Sequence, residues 1–501
     1  MNTVSMNSAF SNTHNRSPYL ASSSGMCSFC CEDCQSLCEL GLAAVRGMQS
    51  VYPNTTGANQ IASEKQYPLD YAAFNINGRV FGAVGAEATY ESAEIFNVDL
   101  GVEYGAKNKV KMAMPVILPA LIKLNWRDYF AGAAMAGVTC MVGEDAKAKD
   151  PNLKVEDGKI VDFPFLGEIV ESFNKYYRGY GQIVPQCDVE DDMMGVPEIA
   201  ISKYGVKALE FKFGQSAKGT QPVNFLPDIE AARKKAALGG LVRPDPYDPE
   251  VIKAYEEGVC PNFYLYGRLP QWDEEFFAKR LAKLRAMGLE NVYFKMAGFD
   301  IADIERVLRI ACANDVDMVT FDGAGGGSGY SPCKMMNEWG RPAVMLERDV
   351  LAVVRKLRAE GLSVPAIVMT GGFASEDQVF KALAMGSGSV SAIGLCRAAM
   401  AAAMQGARVG KAIESGEIPP QLKAFGSTKE ELFTDLADLR ALYGKQANDF
   451  PAGAIGVFSY LNKIAFGLRH FGALNRKFNI RYFDRTDLIP LTDEAAGLLA
   501  E

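Results

Sequence analysis

Five cysteines fall within twelve residues: Cys27, Cys30, Cys31, Cys34 and Cys38, in MCSFCCEDCQSLC, spaced C-x2-C-C-x2-C-x3-C. Thiolates this close can share one inorganic centre, and four of the five would complete a [4Fe–4S] core. Zinc is equally content with four thiolates, and the same intervals suit a helix striped with small apolar side chains. The other six of the 11 cysteines are scattered. A second stretch is the loop Asp322-Gly323-Ala324-Gly325-Gly326-Gly327, where absent Cβ atoms let successive amides turn towards one point, as a bound phosphate requires. A tight turn would also ask for glycine. Two further apolar runs end alike, VPAIVMT in Gly371-Gly372 and SVSAIG in Gly394. Lys295 closes the run NVYFK, a cation placed where a parallel strand hands over to its ligand face.

The elements that must position these residues read as alternating strand and helix. The sequence predicts strands in VKMAMPVILPA, GVTCMVG, GQIVPQC, VKALEFKF, NVYFKMA, VDMVTFD, VPAIVMT and SVSAIG, most of them separated by helical stretches. Eight such units make an α/β protein, a (β/α)8 TIM barrel, over residues 108–410. Three successive late strands ending in glycine turns suit a phosphate held by the last loops and a helix N-terminus. Residues 219–290 loosen into Pro- and Gly-punctuated sequence, the kind of insertion expected to cover a barrel's ligand face. Outside the barrel, residues 1–24 are expected to be disordered, 25–50 to form the Cys-rich segment and 51–107 to connect. Within the last, FNINGRVFGAVG reads as a hairpin around Asn-Gly. After residue 410 no strand is expected, and 411–501 read as a helical appendix packing on the barrel or on a second subunit of an oligomer.

Composition excludes some classes. At 501 residues with 49% hydrophobic content the chain can bury a large core. Its net charge of -8, from 52 basic and 60 acidic residues without a basic run, argues against nucleic acid or an anionic membrane. The most apolar run, MAMPVILPALIKL, is short and broken by Pro115 and Pro119, so no membrane span is expected. No secretion signal is legible either, which makes the expected compartment the cytoplasm, where clustered cysteines read as metal or redox chemistry. The two histidines, His14 and His470, lie outside the barrel loops, leaving acid–base work to Lys, Glu, Tyr or water.

The ordered segments EFKFGQSAKG, VRPDPYD, NVYFKMAG, VTFDGAGGGSGYSP, IVMTGGFASEDQVFKALAMGS and SAIGLCRAAM resemble the FMN-binding synthase domain of the flavin-dependent glutamate synthases, over roughly residues 108–405. The resemblance implies a barrel carrying FMN and an iron–sulfur cluster, reducing 2-iminoglutarate to glutamate. It implies that Lys295 lies near the flavin ring and that Gly323, Gly325, Gly326, Gly371, Gly372 and Gly394 are phosphate-loop positions. Gln186, Gln215 and Met114 are further implied cofactor contacts. Lys218 is similar to a lysine facing a dicarboxylate substrate, and Glu144 is the implied acid/base candidate.

The chain also departs from that family. It begins Met-Asn, without an N-terminal cysteine for glutamine hydrolysis, so ammonia is expected from a separate amidotransferase subunit or from solution. The helix after the last strand, AAMAAAMQGARVGKAI, lacks the family's cysteines, which makes the N-terminal set a candidate replacement. The turn after Lys218, GTQPVNFLP, differs at the substrate wall. Expected electron donors are ferredoxin or a NAD(P)H-dependent reductase subunit. Alternative expectations are an N-methylglutamate-type synthase using an amine, and a flavin/iron–sulfur relay or redox sensor without its own substrate.

Overall fold

The computed structural model describes residues 44–45, 67, 69–122, 124–215, 224–260, 262–324, 326, 335 and 339–500. Eight parallel strands close into a barrel: β1 (Val116–Leu121), β2 (Thr139–Val142), β3 (Ile183–Cys187), β4 (Ala208–Lys212), β5 (Asn291–Ala297), β6 (Met318–Asp322), β7 (Ala366–Thr370) and β8 (Val390–Gly394). The ring closes where Ile393 of β8 pairs with Val116 of β1. Strands covered on both faces should be apolar nearly throughout. The middle residues of these strands are indeed buried, from Val184 on β3 to Ile393 on β8.

Residues that alternate towards the barrel axis divide into two halves. Near the strand starts the interior is apolar, with Ile117, Met141, Val184, Ala208, Met318, Val368 and Ala392 in one cluster. A small antiparallel pair, Val102–Tyr104 with Val110–Met112, plugs this end, and Tyr104, Val110 and Met112 join the cluster. The Tyr104 hydroxyl lies 2.8 Å from Thr139 Oγ1 and 3.1 Å from the Tyr293 hydroxyl, which donates to Gln182 at 2.5 Å. Towards the strand ends the buried interior turns polar, with Gln186, Glu210, Lys212, Lys295, Thr320, Asp322 and Thr370. The change of lining fixes which mouth can hold a polar ligand, and it is the carboxyl-terminal one.

Among the helices around the barrel are α1 (Trp126–Ala136), α2 (Ala343–Ala359), α3 (Arg397–Ser415) and α4 (Ala452–Leu474). Helix α4 packs against α1 and α3 through backbone-close contacts: a Cβ on Gly456 would lie 2.6 Å from the Ala402 carbonyl oxygen, and one on Gly132 of α1 would run into Val457. The appendix is thus fastened to the barrel wall.

Three sequence expectations are corrected. The VKM of the expected first strand belongs to the plug, because the barrel strand starts only at Val116, after Pro115. FNINGRVFGAVG is not a hairpin: Phe74–Ile76 pairs antiparallel with Leu488–Pro490. The region past residue 410 therefore contains a strand, whose partner sits near the other end of the sequence. The 219–290 insertion holds a three-stranded antiparallel sheet, Asn224–Leu226, Phe263–Tyr266 and Leu241–Arg243, with its own small core around Phe263. Of the expected segments, 1–24 and the cysteines of 25–50 lie outside the described residues. No helix among the described residues is long and apolar enough to cross a membrane.

Candidate active site at the carboxyl-terminal mouth

Lys295 ends up inside because β5 alternates and positions 291, 293 and 295 face the axis, while packing leaves the lysine only 4% exposed. Its register partners are Lys212 on β4 and Thr320 on β6. Lys212 is held by Glu144, which follows β2, at 2.5 Å with both side chains buried. One register step down, Glu210 of β4 pairs with Tyr293 of β5 and with Gln186 of β3. The Gln186 amide donates to Glu210, and its own Oε1 has no partner among the described residues, nor has Thr320 Oγ1. Burial pushes the Glu210 carboxyl up; Lys295, the Gln186 hydrogen bond and Lys212 hold it back.

Above this layer opens a cavity of about 550 Å³, within the range of small-molecule sites. Lys295, Asp322 and Gln215 stand on its polar side, Gly371, Gly372 and Gly394 on its glycine side, and Pro119 to Leu121 line it from the end of β1. Arg397 and Ala398, the first residues of α3, also line it. The N-cap residue Cys396 makes no side-chain capping hydrogen bond among the described residues. A helix start facing a cavity is a ready anion site, because its first amides point outwards along the macrodipole. Burial raises the Cys396 thiol, against the opposing charges of Lys295 and Arg397.

The glycines here are set by close packing. Gly371 has φ +121°, and a Cβ there would lie 2.5 Å from the Gly323 carbonyl oxygen. Gly323 donates its N–H to the Thr370 carbonyl at 2.8 Å, and a Cβ on it would meet the Ala343 Cα of α2 at 2.6 Å. Gly394 would press Pro119 and Thr370, at 2.6 and 2.9 Å. The ends of β6, β7 and β8 are drawn so close that backbone alone forms that wall. Next along it, Phe373 packs on Tyr71 with ring centres 5.1 Å apart. The Tyr71 hydroxyl donates at 2.5 Å to Glu347 on α2, a fully buried carboxyl pushed up to about 8 by burial.

The sequence-derived candidates thus separate. Lys295, Gln215, Gly326, Gly371, Gly372 and Gly394 come together around the cavity. Gly323 packs behind it, while Glu144 and Gln186 belong to the buried polar layer, as partners of Lys212 and Glu210. Met114 precedes β1 at the apolar end, its carbonyl accepting from Val116 N–H, away from a cavity whose β1 lining begins at Pro119. Lys218, Gly325 and Cys27, Cys30, Cys31, Cys34 and Cys38 lie outside the described residues. Among the described residues no group of three or more His, Cys, Asp or Glu is arranged to hold a metal. Glu210 and Lys212 were not singled out from the sequence. Their signal was two charges at i and i+2 in the otherwise apolar run ALEFKF.

A closed (β/α)8 barrel, polar at its carboxyl-terminal mouth and with a glycine-walled cavity at a helix start, is the architecture of a barrel enzyme that binds an anionic ligand. Residues 272–409, from ahead of β5 into α3, match the conserved region in glutamate synthase. No curated protein matches the chain. Similar solved structures include a mutant flavocytochrome b2 with pyruvate bound (13% identity, TM-score 0.46, covering 84% of this chain and 76% of that one). A lactate oxidase of Pediococcus acidilactici (13%, 0.44, 84% and 84%) is another. So is a mandelate oxidase variant with 2-hydroxy-phenylacetamide (14%, 0.42, 84% and 86%).

Proposed function

We propose that this protein is an FMN-dependent oxidoreductase of the glutamate synthase type, reducing the imine of a 2-oxo acid, 2-iminoglutarate, to an amino acid, glutamate. The observation that carries this is the convergence, inside the matched stretch, of Lys295 and the Gly371–Gly372 and Gly394 turns on one cavity at the start of α3. FMN suits these residues. Its phosphate would be held by the two glycine turns and the first amides of α3, where a Cβ at Gly371 or Gly394 would collide with the wall. Bound there, FMN would supply two-electron transfer to the substrate carbon. Lys295 would offset negative charge on the ring. Gln215 would offer hydrogen bonds from the β4 side, and Phe373 with Leu121 would keep water from the apolar part of the cavity.

Lys212 offers a cation for a substrate carboxylate from the buried layer, with Glu144 fixing its position and standing as the proton-handling candidate. Lys218 is proposed as a second carboxylate contact. The cysteines 27, 30, 31, 34 and 38 are proposed to hold a [4Fe–4S] cluster, a set of donors with the required softness and number. Electrons would come from ferredoxin or a NAD(P)H-dependent reductase subunit, and ammonia from solution or a separate amidotransferase subunit.

The test is anaerobic purification followed by the absorption spectrum, FMN titration and iron and sulfide analysis. Glutamate formation from 2-oxoglutarate, ammonia and reduced ferredoxin is then assayed, with methylamine in a parallel reaction. Saturable FMN binding with turnover is expected. A protein that neither retains nor binds FMN ends the proposal; one that binds FMN but yields neither product has a different substrate.

A further inference from the structure

The buried layer beneath the cavity contains a carboxylate that the proposed reaction leaves without a task. Glu210 lies one register step below Lys295 on the adjacent strand, on the same inward face, because Tyr293 pairs with Glu210 while Lys295 pairs with Lys212. In parallel strands about 4.8 Å apart that rise about 3.3 Å per residue, positions so related are roughly 8 Å apart. Glu210 is 1% exposed and accepts the Gln186 amide. Its near cation Lys212 already has Glu144 at 2.5 Å, so Lys295 is the second charge Glu210 faces. On the cavity side Lys295 has Asp322 and Cys396 about it, and below stands Tyr293.

Resting on the FMN reading of the cavity, we propose that Glu210 and Lys295 form one charge-compensated unit, in which the buried carboxylate sets how much positive charge the lysine presents to the flavin and hence the flavin's reduction potential. Glu210 is then a positioning residue, acting through Lys295. A lone buried lysine beside a flavin would stabilise the reduced, negatively charged form strongly and make it a poor donor; the carboxylate offsets this. The burial that raises the Glu210 carboxyl, opposed by Lys295, gives the same coupling seen from the other partner. Without Lys295 the carboxyl would lose the strongest influence opposing the rise that burial imposes, keeping only the Gln186 hydrogen bond and Lys212.

The experiment measures the flavin midpoint potential by reductive titration against a reference dye in the FMN-loaded wild type, Glu210→Gln, Lys295→Met and the double variant. Removing one buried charge at this separation should change the equilibrium constant for two-electron reduction at least tenfold, about 30 mV. The potential should rise in Glu210→Gln and fall in Lys295→Met. Adding Glu210→Gln to Lys295→Met should shift the potential less than Glu210→Gln does in the wild type, since the carboxylate then has no Lys295 to act through. An unmoved potential in Glu210→Gln, or an equal shift in both backgrounds, overturns the proposal. If Glu210→Gln does not fold, infrared difference spectra of Lys295→Met against wild type decide it: a changed carboxyl band supports the coupling, and unchanged carboxyl bands overturn it. A wild type that binds no FMN sinks the reading of the cavity and this proposal together, whereas flavin bound with unaltered potentials sinks this one alone.

Discussion

Replacing Glu347 by Gln should remove a pH dependence of stability that the wild type shows between about pH 4.5 and 8. In the folded protein the carboxyl is held protonated up to about 8 by burial, against the Tyr71 hydrogen bond and the Arg485 charge. Its Oε1 has no partner among the described residues, as suits a neutral acid. In the unfolded chain the group ionises near its ordinary value of 4.5. Below that pH both states carry the proton and the contribution is fully present. As pH rises towards 8 only the unfolded chain releases it, so stability is lost; above 8 the folded state releases it too and the loss levels off. Each pH unit within the window removes up to about 1.4 kcal/mol, and the whole window about 4 kcal/mol. Glutamine keeps an acceptor for Tyr71 and has nothing to titrate. Urea unfolding of both proteins at several pH values, followed by tryptophan fluorescence, reads the difference directly, since other titrating groups are common to both. Glu347→Gln should gain on the wild type by about 2–4 kcal/mol from pH 5 to 8. A difference that stays flat within about 0.5 kcal/mol over that range would refute a neutral, buried Glu347.

Four further outcomes are expected. Gly371→Ala combines a disallowed φ of +121° with a Cβ 2.5 Å from the Gly323 carbonyl, and should cost about 2–5 kcal/mol by thermal or urea unfolding and weaken FMN binding. Gly388→Ala, at φ +76° with its nearest atom 3.7 Å away, should cost only about 1 kcal/mol, and equal losses at the two sites would contradict the close-packed wall. Lys212→Met leaves Glu144 buried without its cation and should cost about 3–5 kcal/mol, much of it recovered by adding Glu144→Gln; purely additive losses would show that the pair is not coupled. On the proposed cluster reading, replacing Cys30 and Cys34 by Ser should abolish bound iron while leaving FMN affinity intact; full iron content in the variant would refute these cysteines as its ligands.

The barrel was legible because each strand ends in a signal the eye can follow, from IVPQ to VMTGG, and because six ordered segments carried a family resemblance. Lys295 and the turns at 371, 372 and 394 were legible for the same reason: cations and glycines at strand ends stand out. Glu210 and Lys212 were hidden because their meaning lies in pairing across strands, with Gln186 and Glu144, which a single run of sequence does not display. The plug was merged into β1 because VKM and PVILPA form one apolar stretch, and only the break at Pro115 separates them. Phe74–Ile76 was misjudged because Asn-Gly announced a local turn, whereas the strand's partner is a remote segment.

That remote pairing has a consequence for how the molecule is made. Phe74 meets Pro490, so the clasp joins segments more than four hundred residues apart, and it cannot form on a growing chain until residues 488–490 have been made. The segment bearing Phe74 also carries Tyr71, which backs Phe373 at the cavity wall. Contacts of such long separation are closed late, after the local strand–helix units have assembled. Until residue 488 is reached, the segment that carries Tyr71 lacks its strand partner, so the backing of Phe373 at the cavity wall depends on a part of the chain that the barrel strands themselves do not need.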